Sequence, residues 1–276
     1  MTLKIINFNV EADNLEADNL EADNLEADNS HGCAGCSNAN ELGFDFEYAF
    51  QPIVNLNTRS IYAHEALIRG VNGEAAQSVL SKINSSNTYK FDQVCRVKAV
   101  KSAAELKLNN LLSINFMPNA VYRPELCIST TLEAAKKYNF LASNIIFEFT
   151  EQEIVQDTKH LLNIVTEYKK LGFKTALDDF GAGYAGLNLL ANFQPDIIKI
   201  DMDLIRDVDT SKSRQTIIKA VTRMCEELNV IVLAEGVETA NERDVLLNFG
   251  INLFQGYLFC KPAFKAEGTV DPKSWS

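Results

Sequence analysis

The residues of this sequence that are best suited to chemistry are acidic and amide side chains that follow short apolar runs. The set comprises Glu65, Asn115, Glu148, Asp178, Asp179, Lys199, Glu235 and Gln255. Most of them carry oxygen donors, and carboxylates that converge among apolar residues are costly unless cations neutralise them. Oxygen ligands favour magnesium or manganese over zinc. The pattern therefore predicts a site for one or two divalent cations, Mg²⁺ or Mn²⁺.

The adjacent pair Asp178 and Asp179 indicates how two cations could share one site. Neighbouring side chains of a regular strand point to opposite faces. If the strand ends here and the chain turns through Phe180-Gly-Ala-Gly183, both carboxylates can reach the same place. Two metals about 4 Å apart can activate a water and stabilise the in-line displacement of a phosphoryl group. The alternative is that the two residues only belong to a turn.

Two cationic side chains fit the same chemistry. Lys199 can act on the attacking water or on the phosphate. Arg69, four residues after Glu65, can bind phosphate oxygens with its forked guanidinium. Each also has a simpler interpretation, since Lys199 could pair with Asp201 and Arg69 could be an exposed surface residue. The joint occurrence of these residue types at successive strand ends favours the site.

These side chains require a scaffold that brings the ends of many strands together. Eight short runs rich in Ile, Val, Phe and Tyr are typical of strands: Tyr48–Val54, Ile61–Ile68, Leu111–Phe116, Ile145–Thr150, Lys174–Asp179, Ile197–Asp201, Val230–Glu235 and Leu253–Phe259. Helix-compatible stretches lie between most of them, including 152–171 and 212–228. This alternation predicts an α/β fold, a TIM-like (β/α)8 barrel whose functional residues lie at the carboxyl ends of the strands.

One connection departs from the alternating pattern. Only the segment Asn55–Ser60 separates the first two runs. Parallel strands need a crossover of roughly a dozen residues or more, whereas antiparallel strands can be joined by a short turn. We therefore expect a barrel with an antiparallel first strand, paired with the second strand as a hairpin.

Composition and charge limit the possible functions. The chain has 276 residues, of which 46% are hydrophobic and 23% charged, as expected for a soluble globular protein. Its net charge of −11 argues against a nucleic-acid polymer as partner, because phosphate backbones require basic patches. The sequence shows neither a signal peptide nor an apolar run near 18 residues. We therefore expect a cytoplasmic protein without a membrane segment.

The first 43 residues differ from the rest of the chain. Within 1–30, Lys4 is opposed by eight acidic residues, which gives a local charge of −7. Segment Glu11–Asn29 repeats Glu-Ala-Asp-Asn-Leu, and a period of five fits neither a helix face nor a strand face. We interpret 1–43 as an acidic low-complexity leader, disordered in part, and 44–276 as the barrel domain. The alternative role for the leader is to bind a protein partner.

The six cysteines do not form a disulfide framework in a chain of this length. Cys33 and Cys36 form a Cys-x-x-Cys motif in the leader. With His31 they offer at most three local metal ligands, whereas structural zinc normally has four. Reduced thiols, a redox pair and a metal site with ligands from elsewhere all remain open. The other cysteines lie among apolar residues, and we expect reduced, mostly buried thiols at Cys95, Cys127, Cys225 and Cys260.

Ordered motifs run through the chain from Phe44 to Phe264. They are Phe50-Gln-Pro-Ile53, Glu65-Ala-Leu67 with Arg69, Ile114-Asn115, Glu148-Phe-Thr-Glu151, Asp178-Asp-Phe-Gly-Ala-Gly183, Ile198-Lys-Ile-Asp201, Ala234-Glu-Gly-Val-Glu-Thr239 and Gln255-Gly-Tyr257. In type and order, these motifs resemble the EAL family of cyclic di-GMP phosphodiesterases. So many matching motifs in one order make the resemblance highly specific.

The resemblance implies a homodimer that hydrolyses cyclic di-GMP to linear pGpG with a water activated by two metals. The implied metal ligands are Glu65, Asn115, Glu148, Asp178, Asp179 and Glu235. The implied catalytic residues are Lys199, Glu235, Gln255 and Glu151, of which Glu151 supports the loop after Asp179. The implied substrate-binding residues are Arg69, Gln51 and Leu67.

The loop after Asp179 departs from the family pattern. Where the family usually reads Asp-Phe-Gly-Thr-Gly-Tyr-Ser-Ser, this chain lacks three hydroxyls, at Ala182, Ala185 and Gly186. In the family this loop couples the metal site to the dimer interface, so the departure concerns regulation more than metal binding. The loop also resembles a branch attached to blue-light-sensing domains, some of whose members have lost catalysis.

Two other functions compete with hydrolysis of cyclic di-GMP. The first is a catalytically inactive cyclic di-GMP receptor or protein-interaction module, as in the members that have lost catalysis. The second is a sugar-processing barrel with paired carboxylates. The sugar-processing barrel accounts less well for Lys199 and Arg69.

Overall fold

The computed structural model of the chain describes residues 42–121, 123–150, 158–183 and 186–275. Almost all of the acidic leader, including the Cys33–Cys36 motif, therefore lies outside the described residues, as does Glu151. Within the described ranges, no helix is both long enough and apolar enough to cross a membrane.

Eight strands close into a barrel. In chain order they are β1 (Glu47–Asn55), β2 (Ser60–Arg69), β3 (Leu111–Asn115), β4 (Ile145–Thr150), β5 (Lys174–Phe180), β6 (Ile197–Ile200), β7 (Ile231–Ala234) and β8 (Leu253–Phe254). Strands β2 to β8 follow one another in parallel, and β1 closes the wall between β8 and β2. Strand β1 is antiparallel to both neighbours. The TIM-like barrel with an antiparallel first strand is confirmed.

Helices connect the strands on the outside of the barrel. The described helices are α1 (Gln77–Leu80), α2 (Thr88–Glu105), α3 (Pro124–Cys127), α4 (Ser129–Lys137), α5 (Thr158–Lys170), α6 (Gly186–Asn192), α7 (Met202–Ile205), α8 (Lys212–Glu227) and α9 (Ala240–Asn248). Helix α8 confirms the helix predicted at 212–228, and it begins where Ser211 Oγ accepts the Arg214 amide at 3.5 Å. Helix α5 lies within the one predicted at 152–171, whose first six residues fall outside the described part of the chain.

The last predicted strand is wrong beyond Phe254. The backbone of Gly256 lies so close to Val237 that a Cβ atom there would be 2.0 Å from the Val237 carbonyl oxygen. The Leu258 amide also donates to that oxygen, at 3.1 Å. The chain therefore leaves the barrel wall after Gln255. The apolar Phe259 packs in the core without belonging to a strand.

The other seven predicted strands agree with the structure to within one residue at each end. Strand β5 extends one residue further than predicted, through Phe180. A two-residue strand that the sequence did not predict, β9 (Ala263–Phe264), pairs antiparallel with β1. The four cysteines of the barrel are free, as predicted; three are buried and Cys260 is partly exposed.

A small apolar layer fills one level of the barrel interior. It consists of Ile53, Ala63, Ile146, Ala176, Ile197, Leu233 and Leu253, with Leu111 packed against it. Because side chains along a strand alternate between the two faces, the residue two places further on points inward again. This alternation fixes which side chains form the next level of the interior.

Candidate active site

The next level of the barrel interior is polar. Two places after the apolar residue of their strand lie Glu65, Ser113, Glu148, Asp178, Lys199, Glu235 and Gln255. Strand β1 runs in the opposite direction, so its polar residue, Gln51, lies two places before Ile53. Gln51 is accordingly paired with Glu65 across the hairpin. The structure thus brings the predicted side chains together at the carboxyl ends of the parallel strands.

Lys199 lies at the centre of this polar layer and is only 1% exposed. Its Nζ atom lies 2.6 Å from Glu235 Oε1, 2.8 Å from Glu148 Oε2, 3.1 Å from Asp178 Oδ1 and 3.8 Å from Glu65 Oε2. The alternative pairing with Asp201 is not found among the described ion pairs. Asp201 instead accepts the Asp203 amide at 2.8 Å, at the start of α7. One ammonium group therefore contacts four carboxyl groups.

The carboxyl groups titrate unusually because of this arrangement. Burial raises the pKa of Glu148 to about 8, with Lys199 opposing and neighbouring carboxylates adding to the shift. Burial and the adjacent Asp178 raise the pKa of Asp179 to about 7. Burial also raises the pKa of Glu235 well above its usual range. The layer carries more negative charge than Lys199 alone can offset.

Amide and hydroxyl groups orient two of the carboxylates. Asn115 Nδ2 donates to Glu65 Oε1 at 3.1 Å, and Gln255 Nε2 donates to Glu65 Oε2 at 2.8 Å. Ser113 Oγ donates to Glu148 Oε1. Ser113 was not among the predicted site residues. Its position two residues before Asn115, on the same face of β3, is the signal that could have identified it.

Asp178 and Asp179 share one site through an irregularity in β5. The pairing of β5 with β6 shifts register between Leu177 and Phe180. Asp179 has a left-handed backbone with φ of 54°, and its amide donates to Asp178 Oδ1 at 2.9 Å. The predicted turn is therefore an irregularity within the strand, and it has the predicted effect on the two carboxylates.

Two groups of carboxylates could each hold a metal ion. The first is Glu65, Glu148 and Asp178, and the second is Asp178, Asp179 and Glu235. Within each group, one oxygen from every residue lies within 4.8 Å of the others. Asp178 belongs to both groups, and Asn115 adjoins the first through its contact with Glu65. All of these donors are carboxylate or amide oxygens, which suits hard divalent cations.

The predicted substrate-binding residues lie beside this cluster. Leu67 and Arg69 follow Glu65 on the same face of β2, and both are half-buried. Arg69 Nη1 donates to the Ile68 carbonyl at 2.7 Å, and burial lowers the pKa of its guanidinium. Gln51 Nε2 donates to the Cys260 carbonyl at 3.0 Å. An anion entering the mouth of the barrel could reach Arg69 next to the acidic cluster.

Comparison with known proteins identifies the family. The EAL domain family matches residues 38–262. A standalone EAL protein from Vibrio cholerae O395, solved in a c-di-GMP bound form, is 54% identical, with a TM-score of 0.83 over 86% of this chain and 100% of that chain. The manganese and cyclic di-GMP complex of Klebsiella pneumoniae BlrP1 is 34% identical, with a TM-score of 0.77 over 83% of this chain and 58% of that chain.

One relative is named for a regulatory role and not for binding cyclic di-GMP. The blue light- and temperature-regulated antirepressor BluF of Escherichia coli K12 is 35% identical over 78% of this chain and 53% of its own length. The chain thus spans about half the length of this relative. Because the family matches most of its length and the polar layer carries the expected residue types, the chain belongs to the EAL domain family.

Proposed function

We propose that this chain hydrolyses cyclic di-GMP to linear pGpG with the help of two divalent cations. The observation that carries the proposal is the pair of carboxylate groups that share Asp178. Two adjacent metal positions joined by one carboxylate are suited to phosphodiester hydrolysis. The Vibrio cholerae and Klebsiella pneumoniae relatives, solved with bound cyclic di-GMP, support this substrate.

The residues present fit Mg²⁺ or Mn²⁺. Glu65, Glu148, Asp178 and Asn115 would hold one cation; Asp178, Asp179 and Glu235 would hold the other. The raised pKa values of Glu148, Asp179 and Glu235 support this fit, because burial and neighbouring carboxylates, opposed only in part by Lys199, make their negative charge costly when no cation is bound. When bound, the cations would supply the charge that lowers the pKa of an attacking water and stabilises the displaced oxygen.

The protein groups position and complement the reacting phosphate. Contacts with the carboxylates of Glu148, Asp178 and Glu235 fix the Nζ atom of Lys199, so its positive charge is preorganised for an attacking water or a phosphate oxygen. Asn115 and Gln255 each donate to one oxygen of Glu65 and so hold its orientation. Arg69 at the barrel mouth can bind phosphate oxygens with its forked guanidinium. We assign Glu151 to support of the loop after Asp179 by motif match alone.

The second candidate function is a receptor or protein-interaction module without catalysis. The observation that favours it is the relative named as an antirepressor. The complete set of oxygen donors around Lys199 favours the enzyme, since a docking surface needs no buried acidic cluster.

An assay for pGpG distinguishes the two functions. Wild type is incubated with cyclic di-GMP in Mg²⁺, in Mn²⁺ and in excess chelator, and the nucleotides are separated by chromatography. Binding is measured in parallel by calorimetry in Ca²⁺. The enzyme hypothesis expects pGpG with Mg²⁺ or Mn²⁺ and none in chelator. Equal turnover in chelator would exclude the metal mechanism, and tight binding without product would favour the receptor.

Assembly and location are a separate part of the proposal. We propose a cytoplasmic homodimer, on the strength of the family resemblance, and keep the acidic leader as a candidate segment for a protein partner. Sedimentation of the full chain at several concentrations measures the mass directly. A single species of monomer mass at all concentrations would contradict the homodimer.

A further inference from the structure

A buried ion pair lies outside the barrel and has no part in the proposed chemistry. Asp92 and Arg96 lie one turn apart on α2 and are 1% and 0% exposed. Asp92 Oδ2 lies 2.7 Å from Arg96 Nη2. Arg96 Nη1 donates to the hydroxyl of Tyr168 at 3.2 Å, which connects α2 to α5. Together, Asp92, Arg96 and Tyr168 form what we call the α2–α5 network.

The α2–α5 network contacts the chain directly after the predicted ligand Asn115. Asp92 Oδ1 accepts the backbone amide of Met117 at 3.0 Å. The ring of Tyr168 packs against Phe116 with centroids 5.8 Å apart. The Phe116 amide in turn donates to the Glu148 carbonyl at 3.0 Å. From outside the barrel, the network thus contacts both residues that follow Asn115, namely Phe116 and Met117.

Stability alone does not account for a buried ion pair at this position. Replacing such a pair with apolar residues of similar volume is often neutral or stabilising, because removing two charges from water is costly. Arg96 Nε also has no hydrogen-bond partner among the described residues. What an apolar pair could not supply is an acceptor for the Met117 amide. That amide lies two residues after Asn115, in the segment that leads out of β3. A hydrogen bond that fixes this segment therefore affects the direction of the Asn115 side chain.

We propose that Asp92 is a positioning residue for the metal site. It fixes the Met117 backbone, and thereby sets the side chain of Asn115 against Glu65. Arg96 pairs with the buried carboxylate of Asp92, and the hydroxyl of Tyr168 accepts a hydrogen bond from Arg96. This inference rests on the proposed function, because it gives Asn115 and Glu65 their role in binding metal. Groups that orient metal ligands typically change metal affinity by about 10- to 100-fold when removed.

A matched pair of double variants separates positioning from stability. Asp92→Asn with Arg96→Met removes both charges and keeps an oxygen acceptor for the Met117 amide. Asp92→Leu with Arg96→Met removes both charges and the acceptor. We measure the affinity of each full-length protein for Mn²⁺ alone by calorimetry, together with its melting temperature and amide hydrogen exchange at Met117.

The asparagine variant should bind Mn²⁺ within about threefold of wild type, whereas the leucine variant should bind about 10-fold or more weakly. Exchange at Met117 should rise only in the leucine variant. Ile218→Ala, in the buried face of α8, serves as a control for lost stability and should leave Mn²⁺ affinity unchanged. Asp92→Ala with Arg96→Met is a second acceptor-free variant, in case the leucine variant does not fold.

The outcomes distinguish this inference from the function on which it rests. Equal Mn²⁺ affinity in the acceptor-keeping and acceptor-free variants would overturn the positioning role while leaving the metal site intact. If wild type and Asn115→Ala both fail to bind Mn²⁺, the proposed metal site itself is wrong, and the positioning role fails with it. If Ile218→Ala lost as much Mn²⁺ affinity as the leucine variant, the effect of Asp92 would be explained by stability alone.

Discussion

Asp178 and Asp179 are adjacent in the chain, yet both present carboxylate oxygens within 4.8 Å of an oxygen of Glu235. A regular strand would direct them to opposite faces of the barrel wall. The left-handed backbone of Asp179 and the register shift between β5 and β6 redirect its side chain. This local irregularity therefore allows two adjacent carboxylates, where a regular strand would place only one, to face the same site.

Asp179→Asn should separate the charge of this residue from its conformation. Asparagine tolerates a left-handed backbone, so the fold should persist. Because the pKa of Asp179 is raised to about 7, its charge costs free energy when metal is absent. The variant should therefore be at least as stable as wild type in chelator at pH 8, but should bind Mn²⁺ about 10-fold or more weakly. Thermal unfolding and calorimetry check both expectations. The exposed Asp203→Asn is the control, and unchanged Mn²⁺ affinity in Asp179→Asn would contradict its assignment as a ligand.

Lys199→Met should remove a charge while keeping a long side chain. In chelator, the buried carboxylates lose their cationic partner, and we expect a loss of about 3 to 5 kcal/mol in the free energy of unfolding. Mn²⁺ should reduce that loss, since cations replace the missing charge. Cleavage in a single turnover should fall on the order of 100-fold or more. The exposed Lys212→Met is the control. Cleavage by Lys199→Met at the wild-type rate would show that this lysine has no role in the chemical step.

The identity of the bound cation should affect stability and turnover differently. Any cation that binds only the folded state stabilises it, by about 2.7 kcal/mol per site at 100 times its Kd. Ca²⁺ should therefore raise the melting temperature, yet inhibit cleavage in Mn²⁺, because calcium prefers larger and looser oxygen shells. Glu65→Ala should weaken both effects. Ca²⁺ supporting full turnover, or failing to stabilise the protein, would contradict the proposed site.

His64 should make the protein less stable as the pH falls. It is fully buried in β2, and burial lowers the pKa of its imidazole to about 4. In the unfolded chain the imidazole of His64 binds a proton near pH 6.5, whereas in the folded protein it does so only near pH 4. The free energy of unfolding therefore keeps its full value above pH 6.5 and falls by up to about 3 kcal/mol as the pH drops towards 4. Urea unfolding of wild type and His64→Leu in chelator, at pH 7.5 and pH 4.5, measures the difference. Other groups contribute equally to both proteins, so the same loss in both would contradict this role of His64.

Much of the fold follows from local features of the sequence. The short connection Asn55–Ser60 is sufficient to predict the antiparallel hairpin, and the alternation of strands and helices predicts the barrel. The course of the chain after Gln255 depends on how closely Gly256 approaches Val237, a contact between distant segments. Nothing near residues 255–259 distinguishes apolar residues that pack in a turn from those of a strand.

The acidic site was predictable because carboxylate, amide and lysine side chains lie late in successive apolar strands. In the structure, each parallel strand contributes one polar side chain two places after its apolar interior residue. The same rule applied to β3 would have added Ser113, which was missed because a single serine carries little chemical signal. The α2–α5 network could not be predicted, since its three residues lie on two helices and act on the end of β3. An aspartate and an arginine at positions i and i+4 also pair commonly on exposed helix surfaces, so their spacing does not indicate a buried network.

The most direct test of the account is a single turnover of cyclic di-GMP by excess wild-type protein in Mn²⁺ and ¹⁸O-labelled water. The account predicts linear pGpG whose new terminal phosphate carries one ¹⁸O atom, because water attacks the phosphodiester. It also predicts that Lys199→Met, mixed under the same conditions, forms this product far more slowly. Cyclic di-GMP that is bound tightly but recovered intact from the wild type would contradict the account and assign the chain to the receptors.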